Sequence, residues 1–510
     1  MSSGADAAAA PARFLSSSVL SVSSVARLTG VSELQASDSG GVHALPVHYR
    51  PVNQAPVTMH PRASVAQDLR AIVRLGWPLM LNNLFSIGVN VSDTLMVGRL
   101  GATQLAALAV GSALWIGTFL AGLGVIMALG PTVAQHYGAQ RLADIGHDTR
   151  QAAWLALAIS IVVVAVLNNV DPLLLRLGIE AEVVTLAEGY LRALSLGVPG
   201  YYLYHVLRQM NEGIGRTVPI MVVMGVALSL NVSLSYVFIF GAFGAPRLGV
   251  IGSGLGSGVA FWMMAAMLGL YVARTKAYAP LALWRFEPPQ WPTMRRLLAL
   301  GGPIGLSLLM QAGLFTALAL VMGTLGKVHA AAHQITLNYA GLVYMLPLGL
   351  AFATASLVGQ HVGRGLPARA RRIGYTGIAL CSSLAMSIGL LTWFLAPHIA
   401  RLYTDDAAVV GLATSLLAVS AFLQAGDGTQ SAAAGALRGL KDTRVPMLIN
   451  GSIYWGVGFV LAWTLGIVQG RGAVGIWIGL ASALCTAAVV LSLRFRAVIG
   501  RHLAQSSAAA

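Results

Sequence analysis

The chain has 510 residues, of which 56% are hydrophobic and only 10% are charged, and its net charge is +15. A soluble protein of this length needs more charged surface, so the composition favours an integral membrane protein. The Arg and Lys residues lie in short loops between apolar runs, and no nucleic-acid motif accompanies them. No nucleic-acid partner is therefore expected.

Residues 1–66 consist mainly of Ala, Ser, Gly and Pro with scattered charges. Such a composition buries too little apolar surface to order a chain, so the sequence predicts a disordered N-terminal tail. A mild apolar patch near residues 14–25 lacks a basic start, so a cleaved signal peptide is not predicted. No role is predicted for the histidines of this tail, His43, His48 and His60.

Twelve apolar segments follow the tail, and most are about 20 residues or longer, which is enough for a helix to cross a membrane. The loops between them are short, except for the segment at 274–297, which is rich in Pro and Trp. The apolar segments lie near residues 75–97, 105–130, 152–170, 184–206, 217–242, 249–272, 298–321, 330–357, 373–395, 409–436, 446–469 and 473–493.

The first six segments are repeated by the last six. Pro78 corresponds to Pro303 at an offset of 225 positions. A fixed offset held over roughly a hundred residues indicates a duplication. Each half has an even number of segments, so both halves start on the same face of the membrane, with a cavity expected between them. The same offset relates Gly98 to Gly323, Gly101 to Gly326, Gly124 to Gly349, Gly138 to Gly363, and Pro172 to Pro397.

The sequence thus predicts an all-α polytopic membrane protein with twelve transmembrane helices in two six-helix lobes related by a parallel repeat. Arg and Lys are concentrated in the loops after even-numbered segments, which predicts that both termini are cytoplasmic. The predicted parts are the tail (1–66), an N-lobe (67–273), a cytoplasmic linker (274–297), a C-lobe (298–496) and a C-terminal tail (497–510).

Two carboxylates fall well inside predicted helices, Asp93 in the first and Asp427 in the tenth. A carboxylate that faces hydrocarbon costs about 3 kcal/mol or more, so both should face an interior cavity. No Lys or Arg is predicted at comparable depth. A lone carboxylate could alternate between a small cation, H⁺ or Na⁺, and an organic cation, as an antiporter requires. A hydrogen bond that joins two helices is the alternative role for either acid.

Neutral polar residues could share an ion with Asp93. Asn231 and Ser235 lie four residues apart, on one face of the fifth helix. Asn82, Asn83, Asn90 and Ser92 of the first helix are further candidates, although such residues also bridge helices in bundles. The glycine-rich run at 249–258, GVIGSGLGSG, predicts close packing of the sixth helix.

The histidines in the helical region lie at or near helix ends, without neighbours at metal-ligand spacing, so packing or backbone hydrogen bonding is expected for them. They are His136, His205, His333 and His361. No nucleophile elbow, HExxH or Walker motif occurs, so no enzyme is predicted. No metal site is predicted beyond Na⁺ at Asp93.

Three longer motifs are family-specific: VSDTLMVGRLGA at 91–102, PRLGVIGSGLGSG at 246–258 and GDGTQSAAAGALRGLKDTRVP at 426–446. With them, the chain from about residue 70 to 495 resembles the MATE family of multidrug and toxic compound exporters, closest to its NorM-type branch. The resemblance implies export of amphipathic organic cations coupled to entry of Na⁺ or H⁺, without a cofactor.

The resemblance also implies site residues. Asp93 matches the cation-site aspartate of the N-lobe, Asn231 its asparagine partner, and Asp427 the aspartate of the C-lobe. Two positions depart from the branch: Gln311 replaces its usual glutamate, and Ser235 replaces a frequent second asparagine. Because cation affinity follows ligand charge, Gln311 weakens a Na⁺ site at Asp427 and moves the expected coupling to Asp93. H⁺ and Na⁺ both remain candidates.

The expected protein is a monomeric multidrug efflux antiporter of the bacterial inner membrane, surrounded by lipid, with small organic cations as substrates. A flippase for a lipid-linked precursor, which has a similar duplicated architecture, is the alternative. Its cavity should carry several cationic side chains for phosphates, and none is predicted at mid-depth. A channel is a second alternative, and it would need no alternation between two states.

Overall fold

The structure is a computed structural model that describes residues 64–176 and 178–508. Apart from its last three residues, the predicted tail at 1–66, with its three histidines, lies outside the described residues. Within the described ranges the chain is helical and forms no strand. Val65 already begins the first helix.

Eleven helices in the described part of the chain are long and apolar enough to cross a membrane. A twelfth, α4, is broken at Leu196–Gly197 ahead of Pro199. The prediction of twelve helices is thus confirmed. They are α1 (Val65–Gly98), α2 (Ala102–Gly138), α3 (Leu142–Leu167), α4 (Ala181–Ser195 and Val198–Ile214), α5 (Val218–Phe240), α6 (Val250–Arg274), α7 (Trp291–Thr324), α8 (Lys327–Gly363), α9 (Pro367–Arg401), α10 (Ala407–Gly439), α11 (Arg444–Val468) and α12 (Gly472–Ala508).

Two helices extend by several residues across the predicted boundaries between the linker, the C-lobe and the C-terminal tail. Helix α7 starts at Trp291, inside the segment assigned to the linker, because Pro292 suits the first turn of a helix. Helix α12 continues to Ala508, well into the segment assigned to the C-terminal tail. Short helices connect the long ones at Asp171–Arg176, Ala242–Gly244 and Lys276–Leu281.

The backbone repeats between the first half (α1–α6) and the second half (α7–α12). Helix α2 is preceded by Gly101 with φ 115°, and helix α8 by Gly326 with φ 110°. This conformation is open to glycine and costly for other residues. The two glycines are 225 positions apart, so the same sharp turn starts the second helix of each half.

The halves meet at the end of the bundle where α2, α8 and α10 finish, which we call the basal end. Here the contacts also occur in pairs. A methyl group added at Gly138 would overlap the carbonyl oxygen of Gln360, and one added at Gly363 would overlap the carbonyl oxygen of Gln135. Each glycine is 225 positions from the other, as is each glutamine. The repeat therefore builds an interface with approximate twofold symmetry.

The same glutamines provide side-chain contacts across the interface. Gln135 Nε2 donates to the Gly439 carbonyl at 2.9 Å, and Gln360 Nε2 donates to the Gly213 carbonyl at 2.8 Å. Both glutamines are at least half-buried, so these bonds satisfy polar groups that water reaches poorly. The two acceptor residues, Gly213 and Gly439, are 226 positions apart rather than 225. The second half has therefore gained one residue ahead of Gly439.

The first turns of α1 and α7 each pack into the opposite half. Ile72 of α1 is buried in a core of second-half residues that includes Leu350 and Phe495. Leu297 of α7 is buried in the core of the first half, with Ile145 among its members. Ile72 and Leu297 are again 225 positions apart. This exchange ties the halves together at the basal end.

At the opposite end, which we call the open end, polar side chains of the central helices are exposed. Asn90 and Thr94 are exposed on α1, and Gln334 and Asn338 are exposed on α8. Nearer the basal end the same two helices pack together, with Gly76 of α1 against Leu350 of α8. Exposed amides and hydroxyls suit water rather than lipid. The halves therefore form a cleft that is closed at the basal end.

Candidate functional site

Asp93 is buried where α1, α5 and α6 meet, in the half of α1 near the open end. Ser257 of α6 donates a hydrogen bond from Oγ to Asp93 Oδ2 at 3.0 Å. Asn231 of α5 donates in turn from Nδ2 to Ser257 Oγ at 2.9 Å. The structure thus brings Asp93 and Asn231 into one hydrogen-bonded chain, with a serine between them.

The site around Asp93 contains oxygen atoms without hydrogen-bond partners. Asp93 Oδ1, Asn231 Oδ1, Ser235 Oγ and Ser253 Oγ are buried, and none has a partner in the described structure. The hydroxyl groups of Ser235 and Ser253 lie beside the Asp93 carboxyl group, close enough to stabilise its charge but without the geometry of a hydrogen bond. Buried polar groups are nearly always satisfied, so a group of orphaned oxygens calls for an explanation. A proton or a hard cation such as Na⁺ would supply the missing partner.

Among the described residues, Asp93 forms no ion pair with Lys, Arg or His. A fixed basic partner would have neutralised the carboxylate permanently and blocked any exchange. The site therefore keeps one carboxyl group for which no basic side chain of residues 64–176 and 178–508 competes.

Ser253 and Ser257 were missed by the sequence reasoning, which interpreted the run at 249–258 as a packing motif. The packing interpretation is correct, since a methyl group at Gly252 or Gly256 would clash with α5. The spacing held a second signal, because the two serines are four residues apart and therefore share one face of α6. That face is turned toward Asp93.

Asp427 is buried in α10, and its Oδ1 atom has no hydrogen-bond partner in the described structure. One turn further along the helix, Gln430 donates to the Tyr454 hydroxyl and Ser431 shares a hydrogen bond of 2.7 Å with the Tyr344 hydroxyl. The second acid thus lies among tyrosines, whereas the first lies among serines.

Gln311 lines a cavity of about 390 Å³ between the halves, and Asp427 does not line it. The cavity wall comes from α2, α7, α8, α10 and α11. Gln430 and Ser431, the neighbours of Asp427, belong to that wall. Apolar and aromatic side chains cover much of the rest, including Met127, Phe315, Tyr344, Phe352 and Met447.

Two partly buried arginines lie deeper than the sequence analysis placed them. Arg208 was assigned to the loop after the fourth segment and Arg438 to the loop after the tenth, but α4 continues to Ile214 and α10 to Gly439. Both arginines thus belong to helices rather than loops, near the basal ends of those helices. The cause is that both helices extend beyond their apolar stretches by a turn or more.

These arginines meet at the floor of the cleft. Their guanidinium carbons lie 5.8 Å (Arg208) and 5.3 Å (Arg438) from the centre of the Phe352 ring. Arg208 Nε also donates to Glu212 Oε1 at 2.6 Å, whereas Arg438 Nε has no partner among the described residues. The ring of Phe352, from the second half, thus joins one arginine from each half.

Comparison with known proteins decides the family. The family model described as MatE matches residues 78–237 and 303–464, which together exceed half of the chain. The chain belongs to the MATE family. The two matched ranges start 225 positions apart, so each corresponds to one half of the molecule.

Curated relatives of this MATE chain cover nearly its whole helical region. It is 38% identical over 435 residues to the multidrug resistance protein MdtK of Yersinia enterocolitica, with 84% of this chain and 95% of the relative aligned. The MdtK protein of Yersinia pestis matches to the same extent.

Solved MATE structures share the fold. The eukaryotic MATE transporter AtDTX14 superposes with a TM-score of 0.78 at 20% identity, over 87% of this chain and 99% of its own. A multidrug resistance MATE family transporter in an outward-facing conformation superposes with a TM-score of 0.77 at 22% identity, over 85% of this chain and 96% of its own. These likenesses confirm the two-lobe helical architecture.

The helix-region histidines of this MATE chain hold no metal cluster. Within the described residues, no three His, Cys, Asp or Glu side chains are arranged to bind a metal ion. His361 Nδ1 contacts the Leu357 carbonyl at 2.8 Å, and His333 Nδ1 accepts from Trp477 Nε1 at 3.1 Å. His205 packs against the rings of Phe119 and Tyr201 with both of its nitrogens unpartnered. His136 differs, since its Nε2 lies 3.1 Å from Asp148 Oδ2.

Proposed function

We propose that this MATE protein is a multidrug efflux antiporter that exports amphipathic organic cations in exchange for H⁺ or Na⁺. The observation that carries the proposal is the Asp93 site, where a buried carboxyl group faces orphaned oxygens and lacks a basic partner among the described residues. The MdtK relatives are named multidrug resistance proteins, which supports the same class of function. Such a secondary transporter is not an enzyme and uses no cofactor.

The exchange follows from the cost of a buried charge. An empty, ionised Asp93 is unfavourable in a poorly hydrated site, so a positive occupant is always favoured. A proton removes the charge directly. A Na⁺ ion would be held by the carboxylate together with the oxygens of Asn231, Ser235 and Ser253. In either case the occupied site no longer attracts an organic cation, so the two cations take turns.

Transport requires that the occupants favour different conformations. In the present conformation the cleft is closed at the basal end, and Asp93 lies toward the open end. We propose that H⁺ or Na⁺ reaches Asp93 from that side and displaces the organic cation. Opening of the basal end would then separate the paired contacts of Gly138 and Gly363, along with the Arg208–Phe352–Arg438 group.

The cavity lined by Gln311 is the proposed place for the bulk of the substrate. Its wall combines methionines and aromatic rings, which adapt to apolar ligands of different shape. Asp427 lies beside this wall without lining the cavity. Its negative charge would act on the substrate across Gln430, without direct contact. We assign it a secondary role, because Gln311 removes the second carboxylate that a strong cation site would need.

The basal end is proposed to face the cytoplasm of a bacterium, with the protein as a monomer in the inner membrane, surrounded by lipid. Helix α1 starts there with Arg70 and Arg74, and α9 starts there with Arg369, Arg371 and Arg372. Basic residues favour the cytoplasmic side of a membrane. Because α1 starts and α12 ends at this side, both termini would be cytoplasmic.

A flippase for a lipid-linked precursor is the second candidate, and the two partly buried arginines are the observation in its favour. Arg208 is ion-paired with Glu212 at 2.6 Å, so its charge is already compensated. Of the residues that line the cavity with Gln311, Arg438 is the one unpaired cation. A phosphate-bearing substrate would need several, so the antiporter is preferred.

The test is transport by purified protein in proteoliposomes, with a Na⁺ gradient and a pH gradient applied separately. Ethidium flux should follow at least one gradient in the wild type and in the control Asp405→Asn, whose acid is exposed in a loop. Asp93→Asn should abolish the response. Flux that ignores both gradients would contradict the antiporter, and a strict Na⁺ requirement at fixed pH would exclude coupling to H⁺.

A further inference from the structure

A second cavity lies at the basal end, next to the cavity lined by Gln311, and the two share Asp442 and Thr443 as lining residues. Its volume is about 580 Å³, and both halves of the molecule line it. The first half contributes Thr132 and His136 of α2, and the second half contributes Arg296 of α7 and the loop that contains Lys441. A ligand that fills this cavity would therefore touch both halves.

The cavity holds three cations: Arg296, Lys441 and Arg444. In the described structure none of them forms an ion pair. Arg296 donates only to the hydroxyl group of Thr293, at 2.9 Å. Burial lowers the pKa of the Lys441 ammonium group from its usual value, and a bound anion would oppose that effect.

The two acids in the cavity wall are already engaged. Asp442 Oδ2 accepts from Arg494 Nε at 2.8 Å, and Asp148 Oδ2 lies 3.1 Å from the His136 ring. Asp442 therefore compensates a group other than the three cations, whereas Asp148 also attracts Lys441 without forming an ion pair with it. Because Arg494 neutralises Asp442, the three cations of the lining outnumber the one acid that remains, and the lining has a net positive charge.

The backbone at the site also suits an anion. Arg444 and Val445, the first residues of α11, belong to the lining, and Thr443 at the N-cap makes no side-chain hydrogen bond to the helix. The first N–H groups of a helix lack partners inside it and carry partial positive charge. Together with arginine and lysine side chains, they form the usual setting for a phosphate group.

We propose that this basal cavity binds a phosphate-bearing anion, either the headgroup of an anionic lipid or a free phosphate. The ligand would pair with Arg296, Lys441 and Arg444 and would touch α2 of the first half. Because it bridges the halves while the basal end is closed, it stabilises the conformation with the open cleft. Basic pockets between transmembrane helices on the cytoplasmic side are a known setting for anionic lipids.

The proposal is tested by thermal unfolding of the full-length protein in neutral detergent. Added phosphatidylglycerol should raise the midpoint by at least about 2 °C relative to phosphatidylcholine, because the ligand binds the folded state. The variants Lys441→Gln and Arg296→Gln should each lose about half of that shift or more. Arg295→Gln is the matched control, since Arg295 is exposed on the same turn of α7 and does not line the cavity.

A second arm replaces the lipid by inorganic phosphate, against chloride at equal ionic strength. A Lys441-dependent shift with phosphate supports the site and shows that a free phosphate suffices, whereas a shift with the lipid alone assigns the site to a headgroup. Native mass spectrometry then counts bound phosphatidylglycerol, so that a variant with altered stability remains informative. Equal shifts and equal lipid counts in wild type, Lys441→Gln, Arg296→Gln and Arg295→Gln would overturn the proposal, as would no shift with either probe.

Discussion

In the first half of the molecule, the buried Asp93 accepts a hydrogen bond from Ser257 and faces the hydroxyl groups of Ser235 and Ser253. In the second half, the buried Asp427 lies near Tyr344 and Tyr454. The position that corresponds to Asp93 by the offset of 225 is Leu318, which is buried in an apolar core. The charge sites of the two halves are therefore unrelated by the repeat.

The basal interface shows the opposite behaviour, because there the repeat is kept residue by residue. Gly138 and Gly363, Gln135 and Gln360, and Ile72 and Leu297 all make the same kind of contact from both sides. Closure needs two matching surfaces, so symmetry suits it. Ion coupling needs a single site with a defined occupant, so the second copy of the repeat was free to differ.

The largest effect is expected from Asp93→Asn, because the contrast between the two halves depends on this residue. Removal of the only charge in the first-half site should lower drug efflux from cells by at least about tenfold, since neither cation is then attracted. Efflux of ethidium measures this, with Asp405→Asn as the control and with protein amounts checked. Retention of wild-type efflux in Asp93→Asn would mean that coupling resides elsewhere.

The symmetry of the basal interface is tested by Gly138→Ala and Gly363→Ala. Each methyl group would overlap a backbone carbonyl of the opposite half, so each should oppose basal closure by about 1–3 kcal/mol. The two variants should expose the basal interface to thiol reagents equally, as measured at a cysteine placed nearby. Gly411→Ala, where a methyl group meets open space, is the control, and clearly unequal effects would argue against a symmetric interface.

Substitution of the serine that links Asp93 to Asn231 should have an intermediate effect on transport. Ser257→Ala removes a hydrogen bond to a charged group, which typically contributes about 1.5–3 kcal/mol. The concentration of the coupling cation needed for half-maximal transport should change at least about threefold, while the maximal rate changes less. Ser229→Ala, on the exposed face of α5, should behave as wild type. An unchanged cation dependence in Ser257→Ala would remove Ser257 from the site.

A smaller effect is expected from Asp427→Asn, because Asp427 does not line the cavity with Gln311. The loss of efflux should vary between substrates and stay below that of Asp93→Asn for each of them. A panel of cationic dyes of different size measures this. A uniform loss as severe as that of Asp93→Asn would show that both halves couple ions, and the contrast between them would then fail.

The smallest effect concerns the connection between the halves. Glu287 of the linker contacts His147 Nδ1 at 2.6 Å and Arg150 Nη2 at 2.7 Å, and these contacts anchor the linker to α3. Burial by itself would raise the pKa of Glu287, but its bonds to Arg150 and His147 hold it below the usual value. The stabilisation is therefore present above the unfolded pKa of about 4.3 and disappears as the pH falls through the folded pKa.

At pH 7, Glu287→Gln should accordingly lower the free energy of unfolding by less than about 1 kcal/mol, because the group is partly hydrated. The unfolding midpoint should fall slightly as a result. The difference from wild type should vanish at acid pH. Thermal unfolding from pH 7 down to about pH 2 checks this, with the exposed Glu180→Gln as the control. A difference that grows as the pH falls would contradict the assigned ion pairs.

The sequence by itself determined the helical class, the duplication and the position of both buried acids. These follow from apolar runs longer than the membrane is thick, from a fixed offset, and from the high cost of a charge in hydrocarbon. Each is a property of residue types along the chain, so no tertiary information was needed. The partner role of Asn231 came only through family resemblance.

Only the tertiary structure decided which neutral residues surround Asp93, where the arginines lie and which faces meet at the basal end. Ser253 and Ser257 looked like packing residues because small side chains serve both purposes, and only the rotation of α6 against α1 turns them toward the carboxylate. Arg208 and Arg438 are partly buried because α4 and α10 continue beyond their apolar stretches. Helix ends and helix faces are set by contacts between distant segments, which a linear pattern does not contain.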